Sequence, residues 1–199
     1  MPKKKFSLAQ YKERRKFKRT PEPKGKKARK KPDEPIFVIQ EHHASRIHWD
    51  LRLEIKGVLV SWAIPKGPSL NPAIRRIAIM TEDHPIEYAG FEGVIPKGMY
   101  GAGPVMVWDT GTFENKNIRN KKPVPLHQGL EDGYLEFFLH GTKLQGSFVL
   151  IKPNFEDGQK EWLLIKRKDK YASKKRKPVN TQKKSALTGR TMARIRREG

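Results

Sequence analysis

Polar and apolar residues alternate without a break from His48 to Ile55. A period of two predicts a β-strand, because successive side chains point to opposite faces of a sheet. The apolar side holds Trp, two Leu and Ile, which can anchor the strand in a core. The polar side presents four chemical groups about 6–7 Å apart, at His48, Asp50, Arg52 and Glu54.

Short segments of similar character continue through the middle of the chain. Nine are predicted as strands, at residues 36–40, 48–55, 57–64, 74–81, 104–109, 111–115, 134–140, 146–152 and 161–167. They are rich in Val, Ile, Phe and Trp, and Gly, Pro, Asn or Asp separate them. Many short strands without a long helical pattern predict an all-β fold, either an antiparallel barrel or a sandwich.

The two ends of the chain lack this pattern. Ser7 is a candidate N-cap, and the spacing of apolar residues after it predicts a short N-terminal helix. Residues 21–35 are rich in Pro, Lys and Gly, and residues 172–199 combine low hydrophobicity with high charge, so we expect largely flexible flanks. Within the tail, residues 191–197 could form a short helix on a partner. The predicted organisation is a flank over 1–35, a β domain over 36–171 and a tail over 172–199.

Composition narrows the classes of protein. The chain has 199 residues and no cysteine, which excludes disulfides, thiolate zinc sites and a cysteine nucleophile. No apolar run approaches the ~18 residues needed to span a bilayer, and the first residues lack the apolar stretch of a secretory signal. We expect a soluble cytoplasmic protein without membrane contact.

The net charge of +22 is concentrated at the two ends. Residues 1–35 hold 15 Lys and Arg against 4 acids, and residues 166–199 hold 14 against 2. The segment between them, with 14 basic and 15 acidic residues, is nearly neutral. Basic flanks attract polyanions through counterion release, so we expect nucleic acid as the partner and association with the nucleoid.

The histidines suggest a metal site. Two imidazoles and one carboxylate, from His42, His48 and Asp50, can converge on one divalent ion. Neighbouring residues of an extended segment face opposite ways, so His42 rather than His43 should point with His48. Ligation by nitrogen and oxygen without thiolate suits Mn²⁺, Fe²⁺ or Zn²⁺, and Mn²⁺ is the first choice for a phosphoester substrate.

Two further residues point to phosphate chemistry. Arg52 follows the candidate ligands on the same face, and a guanidinium grips phosphate in a bidentate manner. His84 ends a strand and opens a long connection over 84–103, where it could act as general acid or hold a phosphoryl group. Asp50 and Arg52 could equally form an ordinary surface ion pair.

The order of motifs resembles a known family, the 3′-phosphoesterase domain of the bacterial end-joining DNA ligase D, which also occurs as a stand-alone protein in bacteria and archaea. The similarity runs from about Leu8 to Lys168. Its carriers are Arg15-Lys16-Phe17 with Thr20-Pro21-Glu22-Pro23, Phe37-Val38-Ile39-Gln40, His42-His43-Ala44, His48-Trp49-Asp50-Leu51-Arg52, Trp62-Ala63-Ile64-Pro65-Lys66, Glu82-Asp83-His84-Pro85 with Tyr88, Tyr100-Gly101-Ala102-Gly103 and Trp162-Leu163-Leu164-Ile165.

The resemblance implies a small β-barrel and a Mn²⁺-dependent hydrolase that trims DNA 3′ ends in non-homologous end joining. A phosphodiesterase step removes a terminal ribonucleoside, and a phosphomonoesterase step then removes the 3′-phosphate to leave a 3′-hydroxyl. The implied partners are DNA primer–templates, with a DNA ligase, a polymerase and Ku-type end-joining proteins as further candidates.

The resemblance also implies roles for individual residues. His42, His48 and Asp50 correspond to the metal ligands, and Arg52, His84 and Tyr88 to the catalytic positions. Supporting substrate-binding positions correspond to Arg15, Glu22, Gln40, Lys66, Arg76 and Glu82. This chain departs from the family at Lys16, where an acid is usual, which implies a weaker diesterase step. Residues 185–192 resemble the connection that leads to the ligase domain in fused proteins.

Two alternatives stay open at this point. His48-x-Asp50 also opens the two-His-one-carboxylate triad of iron oxygenases, in which His127 or His140 would be the third ligand. The second alternative is a non-catalytic nucleic-acid adaptor whose site has decayed.

Overall fold

A computed structural model describes residues 5–25, 34–153 and 160–199. Eleven strands lie in these ranges: β1 Ile36–His43, β2 Ile47–Ile55, β3 Val58–Ile64, β4 Arg75–Met80, β5 Gly93–Ile95, β6 Gly103–Asn115, β7 Ile118–Arg119, β8 Lys122–Pro123, β9 Tyr134–Gly141, β10 Gln145–Ile151 and β11 Glu161–Lys166. Four short α-helices accompany them: α1 Ala9–Glu13, α2 Leu126–Glu131, α3 Pro178–Thr181 and α4 Met192–Glu198, and Ile86–Gly90 forms a 3-10 helix.

The strands close into an antiparallel barrel. The hydrogen-bonded order is β1-β2-β3-β4-β11-β10-β9-β6, and β6 pairs with β1 to complete the circle. β5 adds a short strand to the start of β6, and β7 and β8 form a separate hairpin. Closure satisfies the edges that an open sheet would expose. The predicted all-β fold and barrel are confirmed.

The predicted strands agree with the structure except in the middle of the chain. Residues 104–109 and 111–115, predicted as two strands, belong to the single long strand β6. Its pairing with β1 shifts register between Ile39 and Gln40, and the strand continues through this irregularity. The connection over 84–103 contains the 3-10 helix and β5, which the sequence pattern did not predict.

Two apolar cores lie on opposite sides of the barrel wall. The larger one fills the barrel and contains the inward side of β2, with Leu51 and Leu53 nearly inaccessible to solvent. The smaller one lies outside the wall, where α1 and the 81–102 segment cover β1 and β6; its members include Tyr11, Tyr88 and Val107. The polar side of β2 is therefore buried beneath a second layer.

The prediction that residues 172–199 do not pack is wrong. The side chains of Met192 and Ile195 are buried in the main core cluster, because their spacing of three places both on one face of α4. Thr191 caps this helix by accepting the Arg194 amide. Upstream, the Ala186 amide donates to the Val107 carbonyl. The helix predicted for a partner packs on its own barrel.

The N-terminal flank contains the predicted helix, α1, directly after Leu8. Ser7 stands one position before the cap and accepts the Ala9 amide at 3.2 Å. Most of the connection predicted to be mobile, residues 26–33, lies outside the described residues. No helix in the described ranges is long and apolar enough to span a bilayer.

Candidate active site

The pairing of β1 with β2 brings the three predicted ligands together. His42 lies directly opposite His48 in the register, and Asp50 faces Gln40, two residues along the same face. The Asp50 Oδ2 atom is 3.8 Å from His42 Nδ1 and 3.7 Å from His48 Nε2. One donor atom from each residue lies within 4.8 Å of the other two. His43 instead contacts Glu41 at 2.7 Å, so the strand parity is as predicted.

Each imidazole forms a hydrogen bond on the side that faces away from Asp50, and this bond indicates which ring nitrogen carries the lone pair. His42 Nε2 donates to the Gly101 carbonyl at 2.8 Å, and His48 Nδ1 donates to the Arg46 carbonyl at 2.9 Å. In the neutral form of each ring, the nitrogen with the lone pair then faces Asp50, which is the arrangement of metal-ligating histidines. The donor chemistry and its orientation fit a divalent ion.

The Asp50 carboxyl is held in its charged form. Burial alone would raise its pKa, but the charge of the Arg52 guanidinium brings the pKa below the ordinary value. Arg52 Nη2 donates to Oδ2 at 3.1 Å. A permanently ionised carboxylate is the form that ligates a metal.

Arg52 is the centre of the buried polar network. Its Nε donates to Gln40 Oε1 at 2.7 Å, and its Nη1 lies 3.0 Å from His84 Nδ1. The Gln40 amide nitrogen in turn donates to the carbonyls of Tyr88 and Phe91, both at 3.0 Å. Gln40 therefore orients the guanidinium and ties β1 to the covering segment.

His84 lies between two guanidinium groups. Arg52 approaches its Nδ1, and Arg15 Nη2 lies 3.3 Å from its Nε2. Burial, followed by the charges of Arg52 and Arg15, lowers the pKa of His84 well below its ordinary value. The lowered pKa favours the neutral imidazole, whose N–H can hydrogen bond with a bound anion.

The N-terminal flank supplies a buried ion-pair network to this site. Arg15 Nε donates to Glu22 Oε1 at 2.8 Å, and its Nη1 donates to Glu82 Oε1 at 3.0 Å. Burial would lower the pKa of Arg15, but Glu22 and Glu82 keep it above its ordinary value. The Tyr88 hydroxyl also donates to Glu22, and burial with that charge raises the Tyr88 pKa.

These groups line a cavity of about 260 Å³. Eight of the predicted residues line it: Arg15, His42, His48, Asp50, Arg52, Glu82, His84 and Tyr88. Glu22 and Gln40 lie behind this lining and contact it. Lys66 and Arg76 do not line it; both line a separate basic pocket.

Several lining or supporting residues were not predicted. Arg14 donates to Glu82 and to the Tyr100 hydroxyl, both at 2.9 Å. Thr81 and Gly101 complete the wall, and the Ser61 hydroxyl lies 3.3 Å from His84. The tandem Arg14-Arg15 and the tyrosine within a glycine-rich segment were the available signals, but a surface location explained them equally well.

The fold and the site belong to a β-barrel phosphoesterase domain. Residues 40–152 match the family described as "DNA Ligase D 3'-phosphoesterase domain", and the chain belongs to this family.

Curated relatives agree with this assignment. The chain is 48% identical over 166 residues to the "Multifunctional non-homologous end joining protein LigD" of Pseudomonas aeruginosa, covering 81% of this chain and 19% of the relative. It is 44% identical over 164 residues to the protein of the same name from Mycolicibacterium smegmatis, covering 81% and 21%. Identity to the Mycobacterium tuberculosis "Multifunctional non-homologous end joining DNA repair protein LigD" is 45% over 147 residues, covering 74% and 18%. The chain spans about a fifth of the length of these relatives.

Proposed function

We propose that this chain is a metal-dependent phosphoesterase that heals DNA 3′ ends, removing a terminal ribonucleoside and then the 3′-phosphate. The observation that carries the proposal is the cavity that joins the His42–His48–Asp50 cluster to the buried guanidinium of Arg52. The guanidinium groups of Arg15 and Arg52 line this cavity beside the candidate metal centre. Two cationic groups there suit a phosphate ester, whose oxygens carry negative charge. The family assignment supports the same reaction class.

His42, His48 and Asp50 would hold the ion, and Mn²⁺ is our first choice for donors of this type. When bound, such an ion supplies Lewis-acid polarisation of a phosphoryl oxygen and lowers the pKa of a bound water. Arg52 is held at three of its nitrogens, so its planar fork is already oriented for a phosphate. His84 would hydrogen bond to the phosphoryl group.

The iron-oxygenase alternative receives less support. His127 lies in α2 and His140 lies in β9, where it pairs with Glu114 at 2.5 Å. Neither lines the cavity. A non-catalytic adaptor would not need the oriented ligand atoms of His42, His48 and Asp50, so this alternative also receives less support.

The test is a comparison of His42→Ala with His43→Ala on a primer–template ending in a 3′-phosphate. We expect His42→Ala to abolish Mn²⁺ binding and phosphate release, since it removes a ligand. His43→Ala is the matched control and should retain both within a few-fold. Phosphate release by His42→Ala in the presence of a chelator would refute the metal site, and oxygen consumption with iron would favour the oxygenase.

Lys16 offers a test of the diesterase step. Its side chain is exposed, three residues after α1 ends, and does not line the cavity. We propose that the residue type at this position affects removal of the ribonucleoside more than removal of the 3′-phosphate. Lys16→Asp should raise ribonucleoside removal relative to 3′-phosphate removal, measured on matched primers. An unchanged ratio would mean that this position does not govern the diesterase step.

A further inference from the structure

A second basic pocket lies beside the turn that follows β3. Its cavity measures about 90 Å³, larger than the ~15 Å³ that one water requires. Five of the residues that line it are cationic: Lys66, Arg76, Lys174, Arg176 and Lys177. In the described part of the chain, no Asp or Glu lines it.

One of these cations has an unsatisfied donor. The Nε–H of Arg76 is buried without a hydrogen-bond acceptor among the described residues. Burial also lowers the pKa of this guanidinium, which has no carboxylate to compensate it. Buried donors are normally paired, so this guanidinium nitrogen is free to donate to an anionic ligand that enters the cationic pocket.

The barrel and the C-terminal flank build this pocket together. Gly67 adopts φ +64°, and a Cβ there would lie 2.9 Å from both the Trp49 ring and Val179. Only glycine lets the flank approach the turn this closely. The Ser173 amide also donates to the Leu70 carbonyl at 2.8 Å. The three cations of the flank are therefore held against the two of the barrel.

The catalytic cavity and the basic pocket each have a lining residue near the end of β3. Ala63 lines the catalytic cavity, and Lys66 follows it by three residues. Three residues span at most about 11 Å. A B-form strand covers that distance in about three nucleotides, at about 3.4 Å of axial rise each. A strand whose 3′ end occupies the catalytic cavity can therefore place an upstream phosphate in the basic pocket.

We propose that the basic pocket binds a phosphodiester of the DNA strand being processed, a few nucleotides upstream of its 3′ end. The inference rests on the proposed function for the position of that end. The pocket would fix the register of the strand, so that the terminal phosphate meets Arg52 and the metal cluster. Its ligand is a backbone phosphate rather than a free anion.

The test is a double-mutant cycle between protein and DNA. Duplexes carry one neutral methylphosphonate at each linkage in turn, counted from the 3′ end, and binding is measured in chelator by fluorescence anisotropy. Lys174→Gln/Lys177→Gln removes two exposed pocket charges, and Lys121→Gln/Lys122→Gln removes two exposed charges in the β7–β8 hairpin. Thermal melting verifies that both variants fold.

We expect one methylphosphonate position, within about four linkages of the 3′ end, to weaken binding by the unaltered protein and by the hairpin control. The pocket variant should bind more weakly and lose this sensitivity, and its slope of log affinity against log salt should fall by about 0.9. Equal sensitivity in all three proteins, or an equal loss in the hairpin control, would overturn the proposal. Tight binding of inorganic phosphate with no linkage effect would make the pocket a free-anion site and would also overturn it.

A measurement of turnover distinguishes a failure of this inference from a failure of the proposed function. The pocket variant should still release 3′-phosphate at saturating DNA, because Lys174 and Lys177 do not line the catalytic cavity. Absence of phosphate release from every protein would refute the proposed function, while the binding cycle would still report on the pocket.

Discussion

The two flanks carry almost equal positive charge and contact the barrel in different ways. The N-terminal flank inserts Arg15 and Glu22 beneath the catalytic cavity, where both are buried in ion pairs. The C-terminal flank places Met192 and Ile195 in the main apolar core and directs its cations toward a separate pocket. Two flanks of similar composition therefore have different places in the fold: one contributes to the candidate site and the other packs into the main core.

The largest expected effect comes from Arg15→Met. It leaves the buried carboxylate of Glu22 without its ion-pair partner and Glu82 with Arg14 alone, which should lower the free energy of unfolding by about 3–5 kcal/mol. Turnover should fall about 100-fold or more, as for the loss of an oriented charged donor. Urea unfolding and single-turnover phosphate release measure the two effects. Lys12→Met, at an exposed position of the preceding helix α1, is the control, and an equal effect there would contradict the division between the flanks.

Next in size is Ile195→Ala in the C-terminal flank. Loss of this buried side chain should lower the free energy of unfolding by about 2–5 kcal/mol. Turnover of the folded protein should change only a few-fold, because α4 does not reach the cavity. Leu187→Ala removes a side chain that is 54% exposed and should cost little. Lost turnover with unchanged stability would mean that this flank also supports the chemistry.

The smallest effect concerns Lys143, whose ammonium donates to the carbonyls of Gln182 and Lys184 and so fastens the C-terminal flank. Burial lowers the pKa of Lys143 from 10.5 to about 8. Between pH 8 and pH 10.5 the Lys143 side chain is therefore protonated in the unfolded chain and deprotonated in the folded chain. The free energy of unfolding should therefore rise with pH over this interval.

Urea unfolding below pH 8 and near pH 10.5 tests this linkage. Lys143→Met lacks the titrating group. The free energy of unfolding should therefore rise less with pH in this variant than in the unaltered protein. Identical pH dependence in the two proteins would show that the amine is not buried by the flank.

Within the site, the sequence predicted the residues better than their surroundings. Strand alternation selected His48, Asp50 and Arg52 as one face, because a period of two leaves few choices. It also selected His42 over His43, and the register of β1 with β2 agrees. The sequence could not show that this polar face is covered, since the covering layer comes from residues far away in the chain.

The sequence by itself determined the all-β class, the strand that carries the candidate ligands and the concentration of charge at both ends. These features depend on local periodicity and on composition, which are readable without contacts. Only the tertiary structure decided that Arg15 pairs with Glu82, 67 residues away, and that Lys66 joins the C-terminal flank in a second pocket. Such contacts arise when barrel closure and packing bring distant segments together. A short helix such as α4 has only a weak amphipathic pattern, and it is stable because its apolar face packs against the barrel.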